Sequence, residues 1–103
     1  MDFSQLGQML EQAQSMKQQM DERLAAQTFE ATSGGGAVTV RMNGKKELLK
    51  LTIAPAAATA ASDDLTMLED LILAAVNEAG RKVTEAESAQ ANSMLGGLGL
   101  PGF

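Results

Sequence analysis

Four residue types that often carry chemistry are missing from this 103-residue chain, which has no cysteine, histidine, tryptophan or tyrosine. Without cysteine there is no disulfide framework, no thiolate nucleophile and no zinc site built on sulfur. Without histidine the commonest general base and metal ligand are gone, leaving carboxylates, lysines and hydroxyls. An enzyme is therefore not expected, nor a metal, another cofactor or a small-molecule substrate. Three phenylalanines are too few for the stacking platforms that bind single strands and RNA. No apolar run approaches the roughly 18 residues that span a bilayer, and the start, MDFSQLGQ, lacks a basic segment followed by an apolar one. The expectation is a cytoplasmic protein with no membrane partner.

The formal net charge of -5 argues against attraction of nucleic acid over the whole surface. Its distribution says more than its sum. Between residues 28 and 53 the charges are Arg41, Lys45, Lys46 and Lys50 against Glu30 and Glu47. From residue 63 onward Asp63, Asp64, Glu69, Asp70, Glu78, Glu85 and Glu87 face only Arg81 and Lys82. The middle is basic and the helical regions are acidic.

Residues 65–83, LTMLEDLILAAVNEAGRKV, organise the chain. Leu65, Leu68, Ile72, Val76, Ala79 and Val83 recur every three or four residues and make the apolar stripe of an amphipathic helix. Leu71 and Ala75 widen the stripe on one side and Leu73 on the other, beyond the ~100° that one small sheet covers. The surplus asks for a second partner, taken to be another copy of the chain meeting Leu68, Leu71, Ile72, Ala75, Val76 and Ala79.

Residues 3 to about 26 form a first helix, with Leu6, Met9, Ala13, Met16, Met20 and Leu24 on one stripe and glutamines elsewhere. That stripe reads as core or dimer seam. The period then turns to alternation: a strand over 28–33, a glycine turn at 34–36, a strand over 37–43, a hairpin signal at Asn43-Gly44 and a strand ending at Ile53. Whether the hairpin is the two-residue turn or a longer loop through Lys46, parity puts Val38, Val40, Leu49 and Leu51 on one face. Arg41, Lys46 and Lys50 fall on the other, and the two-residue turn would set Arg41 opposite Lys46. Pro55 ends the strand, AAATAA reads as a connector, and Ser62, Asp63 and Asp64 are candidate caps for a helix starting near Asp63. Residues 1–92 make one domain, and 93–103 a flexible Gly- and Pro-containing tail. The fold class is α+β: a long N-terminal helix, a three-stranded antiparallel sheet and a long C-terminal helix, assembled as a homodimer.

Met67-Leu68-Glu69-Asp70-Leu71-Ile72 with Ala75, Asn77 and Ala79 resembles the second helix of the YbaB/EbfC family of bacterial nucleoid-associated proteins. The Gln- and Met-rich first helix, the glycine turn, the V-x-V-x-x-N-G segment at 38–44 and the Leu-Gly-Leu-Pro-Gly at 98–102 follow in the family's order. Ala54 stands where the family pattern would carry an acidic residue. The resemblance implies a small α/β homodimer, tweezer-like, that binds duplex DNA in the nucleoid. It also implies contact from projecting helices, onto which Lys17, Arg23, Arg81 and Lys82 map.

The residues themselves favour Arg41, Lys45, Lys46 and Lys50 as the polyanion-binding cluster, because the helices are net acidic. Glu69 and Asp70, neighbours on a helix, diverge by about 100° and do not converge on a metal. Two readings remain: a dimeric DNA-binding protein with little sequence selectivity, and a dimeric protein-interaction module with acidic helices.

Overall fold

The computed structural model describes residues 3–97, with 94–97 described by backbone alone. The elements follow the order α1 (Phe3–Ala26), β1 (Thr28–Ser33), β2 (Val38–Asn43), β3 (Leu48–Ile53), α2 (Pro55–Ala60) and α3 (Leu65–Gly97). The three strands form one antiparallel sheet in the order β1-β2-β3. The expected α+β class is borne out.

Alternation along β2 puts Val38, Val40 and Met42 on the buried face and Arg41 in solvent. On that face α3 lies over β1 and β2 and hardly reaches β3. Ala31, Val38, Val40 and Met42 of the sheet meet Ala75, Ala79 and Val83 of α3 in the core, with Phe29, Leu68, Leu71, Ile72 and Val76 packed around them. Alanine at 75 and 79 lets the helix backbone approach the sheet closely, and both residues are wholly covered within one chain. Two hydrogen bonds tie α3 to β1: Ser33 Oγ donates to the Leu71 carbonyl at 2.6 Å, and Lys82 Nζ to the Glu30 carbonyl at 2.7 Å.

The hairpin takes the longer of the two expected forms. Lys46 N–H donates to the Asn43 carbonyl at 3.0 Å and Lys46 has φ of 62°, a tight turn followed by a left-handed residue. Asn43 is buried because its side chain organises the loop: Oδ1 accepts from the amides of Lys45 and Glu47, and Nδ2 donates to Glu47 Oε1. A bulge then shifts the register, so that Arg41 pairs with Lys50 and Met42 with Leu48, leaving Leu49 as the extra residue. The glycine turn is just that: Gly34, Gly35 and Gly36 all have positive φ, a conformation that L side chains resist.

Three boundaries differ from expectation. The AAATAA segment is not a bare connector but helix α2, with Pro55 in its first turn and alanine, the best helix former, filling it. Among the candidate caps, Asp64 is the one used: its Oδ1 accepts the Met67 amide at 3.2 Å, and α3 starts at Leu65. Of the expected tail 93–103, residues 93–97 belong to α3, where Met94 and Leu95 are good helix formers. Residues 98–103 of that tail lie outside the described residues.

Helix α1 buries none of its described side chains. It meets the fold at its last turn, where the Gly44 amide donates to the Leu24 carbonyl at 2.9 Å. A Cβ on Gly44 would stand 2.7 Å from that carbonyl oxygen and 3.2 Å from Leu24 Cα. Backbone cannot yield as a flexible side chain does. Gly44→Ala is therefore expected to destabilise the protein by about 1–3 kcal/mol, the usual range for overpacking. The check is a lowered urea midpoint together with faster amide exchange at Leu24 and Gln27. Wild-type stability would mean that α1 docks independently of this contact.

Candidate nucleic-acid interface

Strand register decides which side chains share the uncovered face of the sheet. Thr32, Thr39 and Thr52 stand in one row across the three strands, and Glu30, Arg41 and Lys50 in the next. Between these rows lies a shallow depression lined by Glu30, Thr39, Val40, Arg41, Lys50 and Thr52. Arg41 Nη2 approaches Glu30 Oε2 at 3.7 Å, with more than half of each side chain exposed. That distance is an ion pair without a hydrogen bond, in a range where pairs contribute ~1 kcal/mol or less. On the other side of Arg41, Lys50 is a second cation directly opposite, a placement that costs stability. Lys50 forms no ion pair among the described residues.

The remaining expected basic residues lie elsewhere. Lys45 and Lys46 are exposed at the hairpin tip. Lys46 does not join the Arg41 face as parity predicted. The left-handed backbone at this residue takes it out of the strand alternation, and it lines a depression with Asn77, Gly80, Arg81, Thr84 and Glu85 of α3. The pairing of Arg41 with Lys46, tied to the shorter turn, is replaced by that with Lys50.

Of the helix cations, Arg81 and Lys82 are engaged within the chain. Arg81 pairs with Glu78 one turn back through both Nε and Nη2, and this contact, together with the guanidinium charge, holds the Glu78 carboxyl below its ordinary value. Lys82 donates to the Glu30 carbonyl. Arg23, in the last turn of α1, lines a groove with Met20, Leu24, Gln27, Gln90 and Ser93, where its charge suits the helix C-terminus. Lys17 is exposed along α1.

The residues expected at a dimer contact divide likewise. Ala75 and Ala79 have no accessible surface left in the single chain, because they seat α3 on the sheet, and so cannot bury more against a partner. Leu68, Leu71, Ile72 and Val76 are partly buried and keep some surface free. Sequence reasoning passed over Leu48, and over Glu30, Thr39 and Thr52 as neighbours of the cations. The signal for the last three was the alternation of β1, β2 and β3, read against Arg41.

Among the described residues no group of three or more acidic side chains is placed to hold a metal ion. No helix described is long and apolar enough to cross a membrane. The chain belongs to the YbaB/EbfC DNA-binding family, whose model matches residues 1–98. It is similar to a nucleoid-associated protein of Acidobacterium capsulatum, 60% identical over 91% of this chain and 90% of the relative. A nucleoid-associated protein of Koribacter versatilis is 44% identical over 95% of each. Among solved structures, an uncharacterized protein of Helicobacter pylori matches with a TM-score of 0.69 and 32% identity, over 92% of this chain and 98% of that one. Family membership accords with a general nucleoid-associated, DNA-binding role and a non-enzymatic one.

The opposed cations generate a stability test. Lys50→Glu replaces a like-charge cross-strand pair by one in which Arg41 faces a carboxylate, and is expected to stabilise the fold by about 0.5–1 kcal/mol at low salt. Urea unfolding at two ionic strengths checks it, with the gain shrinking at the higher one. A midpoint that does not rise would mean that solvent already isolates the two charges.

Proposed function

We propose that this protein binds duplex DNA as a homodimer, holding backbone phosphates on the uncovered sheet face with little base selectivity, in the cytoplasm as part of the nucleoid. The observation that carries this reading is the placement of Arg41 directly opposite Lys50 on a face that no helix covers among the described residues. Two facing cations are a local electrostatic cost in the free protein and a gain once an anion lies between them. Hydroxyls of Thr39 and Thr52 line the same depression and suit phosphate oxygens. Lysine, arginine and threonine that meet phosphates on an open sheet face position a duplex without specifying its sequence.

The affinity of such a complex falls with salt, at a log–log slope of roughly -0.9 for each phosphate neutralised. Arg41→Glu with Lys50→Glu should weaken binding to all duplex sequences about equally, and reduce the slope by about two for each copy engaged. Reversing Lys46 and Arg81, or Lys17 and Arg23, is expected to do less. Fluorescence anisotropy on mixed-sequence duplexes at several salt concentrations decides between them. If the sheet variants bind normally and the helix variants do not, the contact belongs to the projecting helices. No duplex binding by the wild type at low salt would favour the protein-interaction reading.

The dimer rests on what one chain leaves bare. Leu48, Leu49 and Leu51 of β3 are 45%, 50% and 38% exposed because α3 stops short of them. On α1, Leu6, Met9, Leu10, Met16 and Met20 are exposed as well. A leucine contributes ~1.5–3 kcal/mol when fully buried, so covering these stripes with a second copy supplies a substantial driving force. Leu49→Glu tests this without disturbing the core, since Leu49 is half exposed and unpaired at the bulge. The variant should fold with a normal circular dichroism spectrum and sediment as a monomer at micromolar concentration. A compact wild-type monomer under the same conditions would refute the dimer.

A further inference from the structure

The charge row across the sheet contains its own anion. Glu30 is the only carboxylate in the three strands, and the register sets it beside Arg41, with Lys50 on the far side. We infer that Glu30 is a built-in competitor for Arg41, occupying the guanidinium until a DNA phosphate displaces it and so setting how tightly the sheet face binds. This rests on the proposed use of that face, and concerns what regulates it.

Three features of Glu30 support the role. Its backbone is held in place, since the carbonyl accepts a hydrogen bond from Lys82 Nζ at 2.7 Å, so the side chain projects from a fixed point at the rim of the depression. Its carboxylate meets Arg41 at 3.7 Å in an exposed pair, close enough to neutralise the guanidinium and loose enough to exchange for a better partner. A phosphate between Arg41 and Lys50 would meet two cations at once, whereas Glu30 can serve only the nearer one. Anion exchange therefore favours phosphate, and the carboxylate left at the rim limits how strongly.

Glu30→Gln removes the competing charge while preserving shape. Anisotropy with a fluorescent mixed-sequence duplex at low salt is expected to show roughly two- to five-fold tighter binding for each copy engaged, the scale of releasing one exposed ion pair. The diagnostic measurement is the same substitution in an Arg41→Gln background, where the gain should fall to less than half, because the group competed for is gone. An equal gain in that background would overturn the proposal, showing that Glu30 acts only as a negative charge near DNA. No gain in either background would overturn it too. Arg41→Gln and Lys50→Gln measured alone separate the two levels of inference. If they weaken binding while Glu30→Gln does nothing, the face is used but Glu30 does not compete there. If neither weakens it, the face reading fails and the competitor role with it.

Discussion

The close seat of α3 on β1 and β2 is the constraint from which the rest of this structure follows. Alanines at 75 and 79 bring the helix backbone against the sheet, and Val83 joins Val38 and Val40 in the same buried core. A larger residue at either alanine would lift the helix and open the layer between them, where protein interiors tolerate no voids. Because the helix sits over two strands, the third keeps its leucines bare. Because α1 is held only near its end, by the hairpin, its apolar stripe is bare as well. Both are consequences of one packing choice, and both ask for the same remedy of a second apolar surface.

Seating α3 on one side of a three-stranded sheet also assigns the other side. Period-two alternation sends Thr39 and Arg41 away from the face that buries Val38 and Val40, and the antiparallel register lines them up with Lys50 and Thr52. The bulge near Leu48 preserves this pairing while absorbing a residue, so the cationic row and the apolar face stay in phase through most of β3. Fold and proposed binding face are thus one pattern read from its two sides.

Most of the fold was legible because it is written in period. The spacing of three and four marks α1 and α3, and alternation marks the strands, including the faces of Val38, Val40 and Arg41. What was not legible lay in loops and in tertiary choice. The hairpin took its longer form because Asn43 can accept two amides with one side-chain oxygen, and nothing in Asn43-Gly44 alone distinguishes that from a two-residue turn. That choice moved Lys46 to the α3 side, splitting a cluster that looked single along the chain. Periodicity also could not say which part of the broad stripe on α3 is spent within the chain. Only the docking angle separates Ala75 and Ala79, already buried, from Leu68 and Ile72, which retain surface. Helix α2 was read as a connector, because a six-residue run is too short to show a period.

The net charge of -5 is less of an obstacle to binding a polyanion than it first suggests. Helix α1 carries three acids against two bases and α3 five against two, so both helices repel DNA locally. The strands carry one acid, Glu30, against Arg41 and Lys50. At physiological ionic strength charges are screened over ~8 Å, while the molecule is 69 Å long. Acids far out along the helices therefore contribute little to the potential above the sheet, which depends on its own few residues. On the proposed reading the helix acids orient: a duplex approaching the helices meets repulsion, and one approaching the bare sheet face meets cations. Charge of the disfavoured sign thereby narrows the ways of docking, and on the sheet itself the same logic is compressed into one side chain, Glu30, set beside Arg41.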